Sequence, residues 1–127
     1  MKDIITFDCE VYLQQVVFYY GESIKPICKF LKGKITDEEL NALIEYKRES
    51  GFSVRYSGGY NIIWLNKKPN THYTLSVLHH EIFHCVCSIL RYVGVEFSNK
   101  SEEAYAYLFG HISKKIYEGL NIKIQII

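Results

Sequence analysis

Residues 71–94 read THYTLSVLHHEIFHCVCSILRYVG, and the rest of the chain is best read outward from them. Leu78, Ile82, Phe83, Val86, Ile89 and Leu90 recur at α-helical spacing. Thr71 can begin this helix, the pattern carries it to about Tyr92, and Gly94 stops it. Against the apolar surface stands one polar stripe of His80, Glu81, His84, Ser88 and Arg91. A helix buried on most sides must satisfy such a stripe, because unpaired buried polar groups are costly. Residues four apart lie on one helical face, so His80 and His84 can direct two imidazoles at one ion. Glu81 lies beside them, about 100° round the helix. Two nitrogens on a metal and a carboxylate near its open position are what a hydrolytic zinc site requires, because zinc brings the pKa of water to about 7. The expectation is one Zn2+ held by His80 and His84, with Glu81 as general base.

Zinc also needs a third protein ligand. Glu102 and Glu103 open the next helix, within the run SEEAYA at 101–106. Both border a small-residue face of Ala106, Gly110 and Ser113, and periodicity does not choose between them. A carboxylate in a first helical turn also favours the helix dipole, which is a sufficient role for Glu102. At this point the sequence resembles the gluzincin metallopeptidases. Those carry HExxH and, on a following helix, a glutamate in an ExxA or ExxS register. Eighteen residues separate His84 from Glu103, and Ala106 follows Glu103 at the matching offset. The Glu-Ala pair is also similar to that of ImmA/IrrE-like peptidases, and small HExxH proteins of phages and mobile elements show similar helix pairs. The resemblance covers about residues 71–118.

The resemblance implies that Glu103 is the third ligand. It implies a zincin-like α+β fold, with a small sheet packed on the HExxH helix and a following Glu-bearing helix closing the site. It implies a zinc-dependent metallopeptidase that hydrolyses a peptide bond of a peptide or protein substrate, with Glu81 as base and then acid. In zincins an edge strand beside the motif holds extended substrate, and residues 60–65, YNIIWL, are the expected strand. Tyr107, one turn beyond Glu103, can hydrogen-bond a ligand or substrate, and His111, two turns beyond, can stabilise an oxyanion. His79 points about 100° away from His80 and is not expected to be a ligand. His72 is expected in a solvated loop, and Cys87 as a buried structural cysteine.

Outside the motif, residues 11–20 are rich in β-branched and aromatic types and end at Gly21, which predicts a strand. Ile24, Ile27, Phe30 and Leu31 predict a helix over 23–31. Thr36 with Glu39 spells a capping box, so a second helix should start there and end near Gly51. Residues 52–56 and 60–65, joined by Ser57-Gly58-Gly59, predict a β-hairpin. A last helix is expected from about Ser98 to Glu118, and the alternating tail 122–127 as a short strand.

The chain has 127 residues, with no repeat and no linker, and is expected to form a single domain over 1–127. Its 15 basic and 14 acidic residues leave a net charge of +1. That balance gives no long-range field to attract nucleic acid or an anionic membrane, so neither is expected as a partner. Asp8 and Glu10 interrupt any signal-like apolar run, no segment is apolar enough to span a bilayer, and a cytoplasmic protein is expected. Four irregularly spaced cysteines do not suggest a disulfide scaffold. Two other functional readings compete with the peptidase. One is a zincin fold kept as a structural or interaction protein of a phage or mobile element, with zinc but no essential catalysis. The other is a metal-dependent hydrolase of a non-peptide bond. Retention of Glu81 speaks against the former, since a structural zinc site needs no base.

Overall fold

Alternation and continuous apolar runs together dictate a sheet covered on both faces. A computed structural model describes residues 4–46 and 50–121. The tail at 122–127, expected as a strand, lies outside them. The elements run β1 (Ile5–Cys9), β2 (Gln14–Tyr20), α1 (Lys25–Leu31), α2 (Asp37–Glu45), β3 (Gly51–Tyr56), β4 (Tyr60–Leu65), α3 (His72–Tyr92) and α4 (Glu102–Gly119). The sheet order is β1-β2-β4-β3. The central pair β2/β4 is parallel, and both edge strands pair antiparallel to their neighbours.

The two central strands are apolar on both faces. Val16, Phe18, Ile63 and Leu65 turn to one side, where they join Leu78, Ile82, Val86 and Ile89 of α3 and Leu108 and Ile112 of α4. Val17, Tyr19, Ile62 and Trp64 turn to the other, where Ile27 and Leu31 of α1 and Leu43 of α2 cover them. The chain is therefore α+β, with a helix pair on each face of a four-stranded sheet. Each fully buried aliphatic side chain contributes on the order of 1.5–3 kcal/mol. Inside the sheet, the buried Asn61 amide donates to the Gln14 side chain and the Gln15 carbonyl, both at 3.1 Å.

Several boundaries differ from those read in the sequence. The strand expected over 11–20 starts at Gln14, because residues 10–12 form a 3-10 turn and Leu13 has φ +53°. That turn reverses the chain from β1, a strand with no expectation in the sequence, into its antiparallel neighbour β2. The first helix starts at Lys25 rather than Ser23. The helix capped by Thr36 ends at Glu45, well before Gly51, and the last helix starts at Glu102 rather than Ser98. The hairpin at 51–65 and the helix after Thr71 stand as expected. All four cysteines are free thiols. Among the described residues no helix is long and apolar enough to cross a membrane.

Glu39 ties the second helix layer to the hairpin. Its carboxylate accepts from the Thr36 N–H at 3.0 Å, completing the capping box. It also accepts from the Ser57 N–H at 2.8 Å and the Ser57 hydroxyl at 2.7 Å, at the turn between β3 and β4. Partial burial alone raises its pKa, but the hydrogen bonds from Ser57 and Thr36 outweigh that and lower it from 4.5 to about 2. The folded state thus prefers the carboxylate, and the unfolded chain takes up the proton first. The stabilisation is complete above pH 4.5 and is lost as pH falls towards 2. Glu39→Gln should remove this acid-sensitive part, so that wild-type and variant urea midpoints differ more at about pH 6 than at about pH 3.

Candidate functional site

The polar stripe of α3 lies at the seam between that helix and the open edge of the sheet. Thr71 caps the helix by accepting from the Thr74 N–H at 3.1 Å. The apolar face of Leu78, Ile82, Cys85, Val86, Ile89 and Leu90 then fixes its rotation on the sheet. Rotation fixed in this way leaves His80, His84 and Arg91 exposed and Ser88 half-buried. Glu81 turns inward and is 8% exposed. The histidines of the stripe therefore face solvent, and only its carboxylate is buried. Phe83, read as part of the apolar surface, is 42% exposed and packs edge-on to Phe97.

His80 and His84 come together as expected. Their Nε2 atoms are 3.1 Å apart, with the rings nearly perpendicular at 80°. Two nitrogens bound tetrahedrally at zinc's usual distance are separated by about 3.3 Å. The pair therefore has the separation that one zinc ion requires. Burial pushes the Glu81 carboxyl above the usual range for glutamate, and the two neighbouring imidazoles pull it back only partly. Such a carboxyl is suited to exchanging protons with a neighbour.

The remaining expected residues are distributed differently. Glu102 and Glu103 are both exposed on the first turn of α4. Among the described residues, no three His, Cys, Asp or Glu side chains are grouped closely enough to hold an ion together. Glu103, Ala106, Gly110, Ser113 and Tyr117 recur at three- and four-residue steps along α4. Tyr117 hydrogen-bonds the Nε2 of His79, so the C-terminal end of this face meets the helix that carries the motif, whereas Glu103, Ala106 and Gly110 are exposed and a Cβ at Gly110 would have nothing within 4 Å. His79 also packs against Phe109, so it belongs to the α3–α4 contact. Tyr107 and His111 look elsewhere. They line a cavity of about 400 Å³ with Phe7, Asp8 and Cys9 of β1. Neither borders the clefts that His80, Glu81 and His84 line. His72, expected in a loop, is the first residue of α3 and is exposed.

The expected edge strand needs correction. Residues 60–65 form β4, which is bonded on both sides, to β2 and to β3. Its run Ile62-Ile63-Trp64-Leu65 is buried on both faces, as befits a central strand. The strand beside the motif is β3, at the sheet edge. Glu81 shares one cleft of about 400 Å³ with His80, Ser50 and Gly51, and a second of that size with His84, Phe52 and Ser53. The Asn66 N–H donates to the Ser50 carbonyl at 3.0 Å, which makes those two a bonded pair of the antiparallel ladder. By alternation, Phe52, Val54 and Tyr56 bond to β4, and Gly51, Ser53 and Arg55 turn their backbone N–H and C=O to the open edge.

Gly51 allows α3 to lie this close. A Cβ there would meet the Trp64 carbonyl oxygen and the Leu65 side chain at 2.8 Å, and Val77 of α3 at 3.3 Å. In the sequence Gly51 reads as the end of a helix, although a glycine opening a strand is itself a signal of close backbone approach. No protein-family model, curated protein or solved structure matches the chain. Gly51→Ala should cost about 1–3 kcal/mol, the usual penalty of overpacking, read as a lower urea midpoint with an unchanged slope.

Proposed function

We propose that this chain is a zinc-dependent metallopeptidase of zincin-like architecture. The observation that carries the reading is the convergence of the two Nε2 atoms of His80 and His84, 3.1 Å apart, beside a buried Glu81 and an open strand edge. In this reading His80 and His84 hold the ion. Glu103 is the proposed third ligand, on the strength of its ExxA register with Ala106, and Glu102 is its neighbour on the same helical turn. Zinc, when bound, supplies a Lewis acid that makes water nucleophilic near neutral pH and polarises a carbonyl.

The chain's own residues have distinct tasks. Glu81 takes a proton from the attacking water and later returns it to the departing amine. Its burial keeps the carboxylate poorly hydrated, so proton transfer competes with little solvent. The outward N–H and C=O groups of Gly51 and Ser53 hold an extended peptide as an added strand. The two imidazoles stay open to solvent on the same side, so a peptide on the β3 edge passes the motif rather than the core. A zincin fold used only for structure or interaction would need the histidines but not the carboxylate.

Two measurements test the reading. One zinc per chain should be found by elemental analysis of purified protein, and His84→Ala should abolish it. Glu103→Gln should weaken zinc affinity by more than the roughly 10–100-fold that loss of an outer-shell partner costs, in a competitive chelator titration, with Glu102→Gln close to the parent. A greater loss in Glu102→Gln would shift the ligand by one residue.

The carboxylate separates catalysis from scaffolding. Glu81→Gln should retain fold and zinc yet lower peptide turnover by about 10²–10⁴-fold. Full biological activity of Glu81→Gln, with zinc bound to both proteins, would end the enzymatic reading.

A further inference from the structure

The cleft between α3 and β3 has a basic end. Along α3, the stripe continues from His84 through Ser88 to Arg91, and all three line the same cleft as Gly51 and Ser53. Beyond it, on β3, the Arg55 guanidinium lies 3.4 Å from the centre of the Tyr92 ring. Arg55 also donates from Nε to the Gln14 side-chain oxygen at 3.1 Å, which anchors it at this end of the strand. Arg91 is exposed. Among the described residues, neither guanidinium has a carboxylate within ion-pair distance, the ion pair found being Lys115 with Glu118. The chain as a whole is nearly neutral, so Arg91 lining the cleft and Arg55 beyond it, with no acidic partner for either among the described residues, are a local feature rather than a general surface charge.

We infer that this end of the cleft selects acidic side chains, and that Arg91 is the specificity-determining residue for an extended peptide carrying Asp or Glu. The occupant follows from two features. Backbone groups of Gly51, Ser53 and Arg55 face outward in the register of a strand edge, which a peptide backbone matches. A planar guanidinium at the end of that edge matches a carboxylate through two parallel hydrogen bonds. The spacing fixes the position of the acidic residue. His84 and Arg91 are seven residues apart on one helix, about 10 Å at 1.5 Å per residue. An extended peptide covers that distance in about three residues. The acidic side chain therefore belongs about three residues from the part of the peptide that passes His84. Arg55 supports the local field from the strand side, with its guanidinium already held by Tyr92 and Gln14.

The inference rests on the peptidase reading for its occupant, and binding and cleavage are measured separately for that reason. The probes are fluorescein-labelled octapeptides that differ only in Asp, Asn or Lys at one central position. Binding is followed by fluorescence anisotropy at low and high salt, with the wild type, Arg91→Glu and Arg91→Gln. Cleavage of the same peptides by the zinc-loaded protein is followed by mass spectrometry. The Asp peptide should bind the wild type about tenfold more tightly than the Asn peptide, and salt should reduce the difference. Arg91→Gln should abolish the preference, and Arg91→Glu should reverse it in favour of Lys. Arg91 is exposed on the helix surface, so circular dichroism of both variants should match the parent. Equal binding of the three peptides, no binding of any of them, or a preference that persists in Arg91→Glu overturns the inference. Cleavage without an acidic preference overturns it and leaves the peptidase reading standing. Preference in binding without cleavage supports the basic subsite and removes the peptidase reading instead.

Discussion

The close approach of α3 to β3 is the contact on which the rest of the site depends. Gly51 favours it by presenting no side chain there, where a Cβ would sit 3.3 Å from Val77 of the helix. Any larger residue would meet the end of the Leu65 side chain and the Trp64 carbonyl oxygen, and the latter cannot move without disturbing the central strand β4. With the helix held this close, the sheet edge and the polar stripe share their clefts. The outward backbone groups of β3 and the two imidazoles of α3 then border the same clefts.

That contact also divides the stripe electrostatically. Helix rotation is set by Leu78, Ile82, Val86 and Ile89, all fully buried against the sheet. A rotation fixed by four apolar anchors leaves no freedom to choose where the polar residues point. His80 and His84 emerge into solvent, where their ring nitrogens are accessible to an ion. Glu81, about 100° further round, goes under the β3 edge, and burial raises its affinity for a proton. One helix thus gives two environments to adjacent residues, and the different chemistry proposed for each follows from exposure rather than from residue type alone.

The other helix layer acts at a distance. α1 and α2 cover the face of the sheet remote from the motif, and the Glu39 carboxylate bonds that layer to the β3–β4 turn. The turn sets the register of the hairpin, and the hairpin register decides which residues of β3 turn their backbone outward. A shift of one residue would exchange the outward groups of Gly51 and Ser53 for those of Phe52 and Val54. It would also move the side chains of β3 to opposite faces. The orientation of the open edge is therefore secured from the far side of the sheet.

The sequence alone determined the elements whose signals are local. The capped, periodic helix after Thr71, the capping box of Thr36 with Glu39, the hairpin around Ser57-Gly58-Gly59 and the pairing of His80 with His84 all depend on residues within a few positions of one another. Hydrophobic periodicity reports which face of an element is apolar, but not which neighbour covers it. For that reason β1 and the exact starts of α1 and α4 are not legible in the sequence, and β4 is an edge strand only by the resemblance, although its unbroken apolar run carries the mark of a strand covered on both faces. Tertiary structure decided that β3 lies at the edge, that Gly51 is a point of close approach rather than a helix stop, and that Tyr107 and His111 face β1. It also decided that Glu81 is buried while His80 and His84 are not. Each of these depends on how far apart elements pack and in what order they pair, and that is settled by contacts between residues distant in the chain.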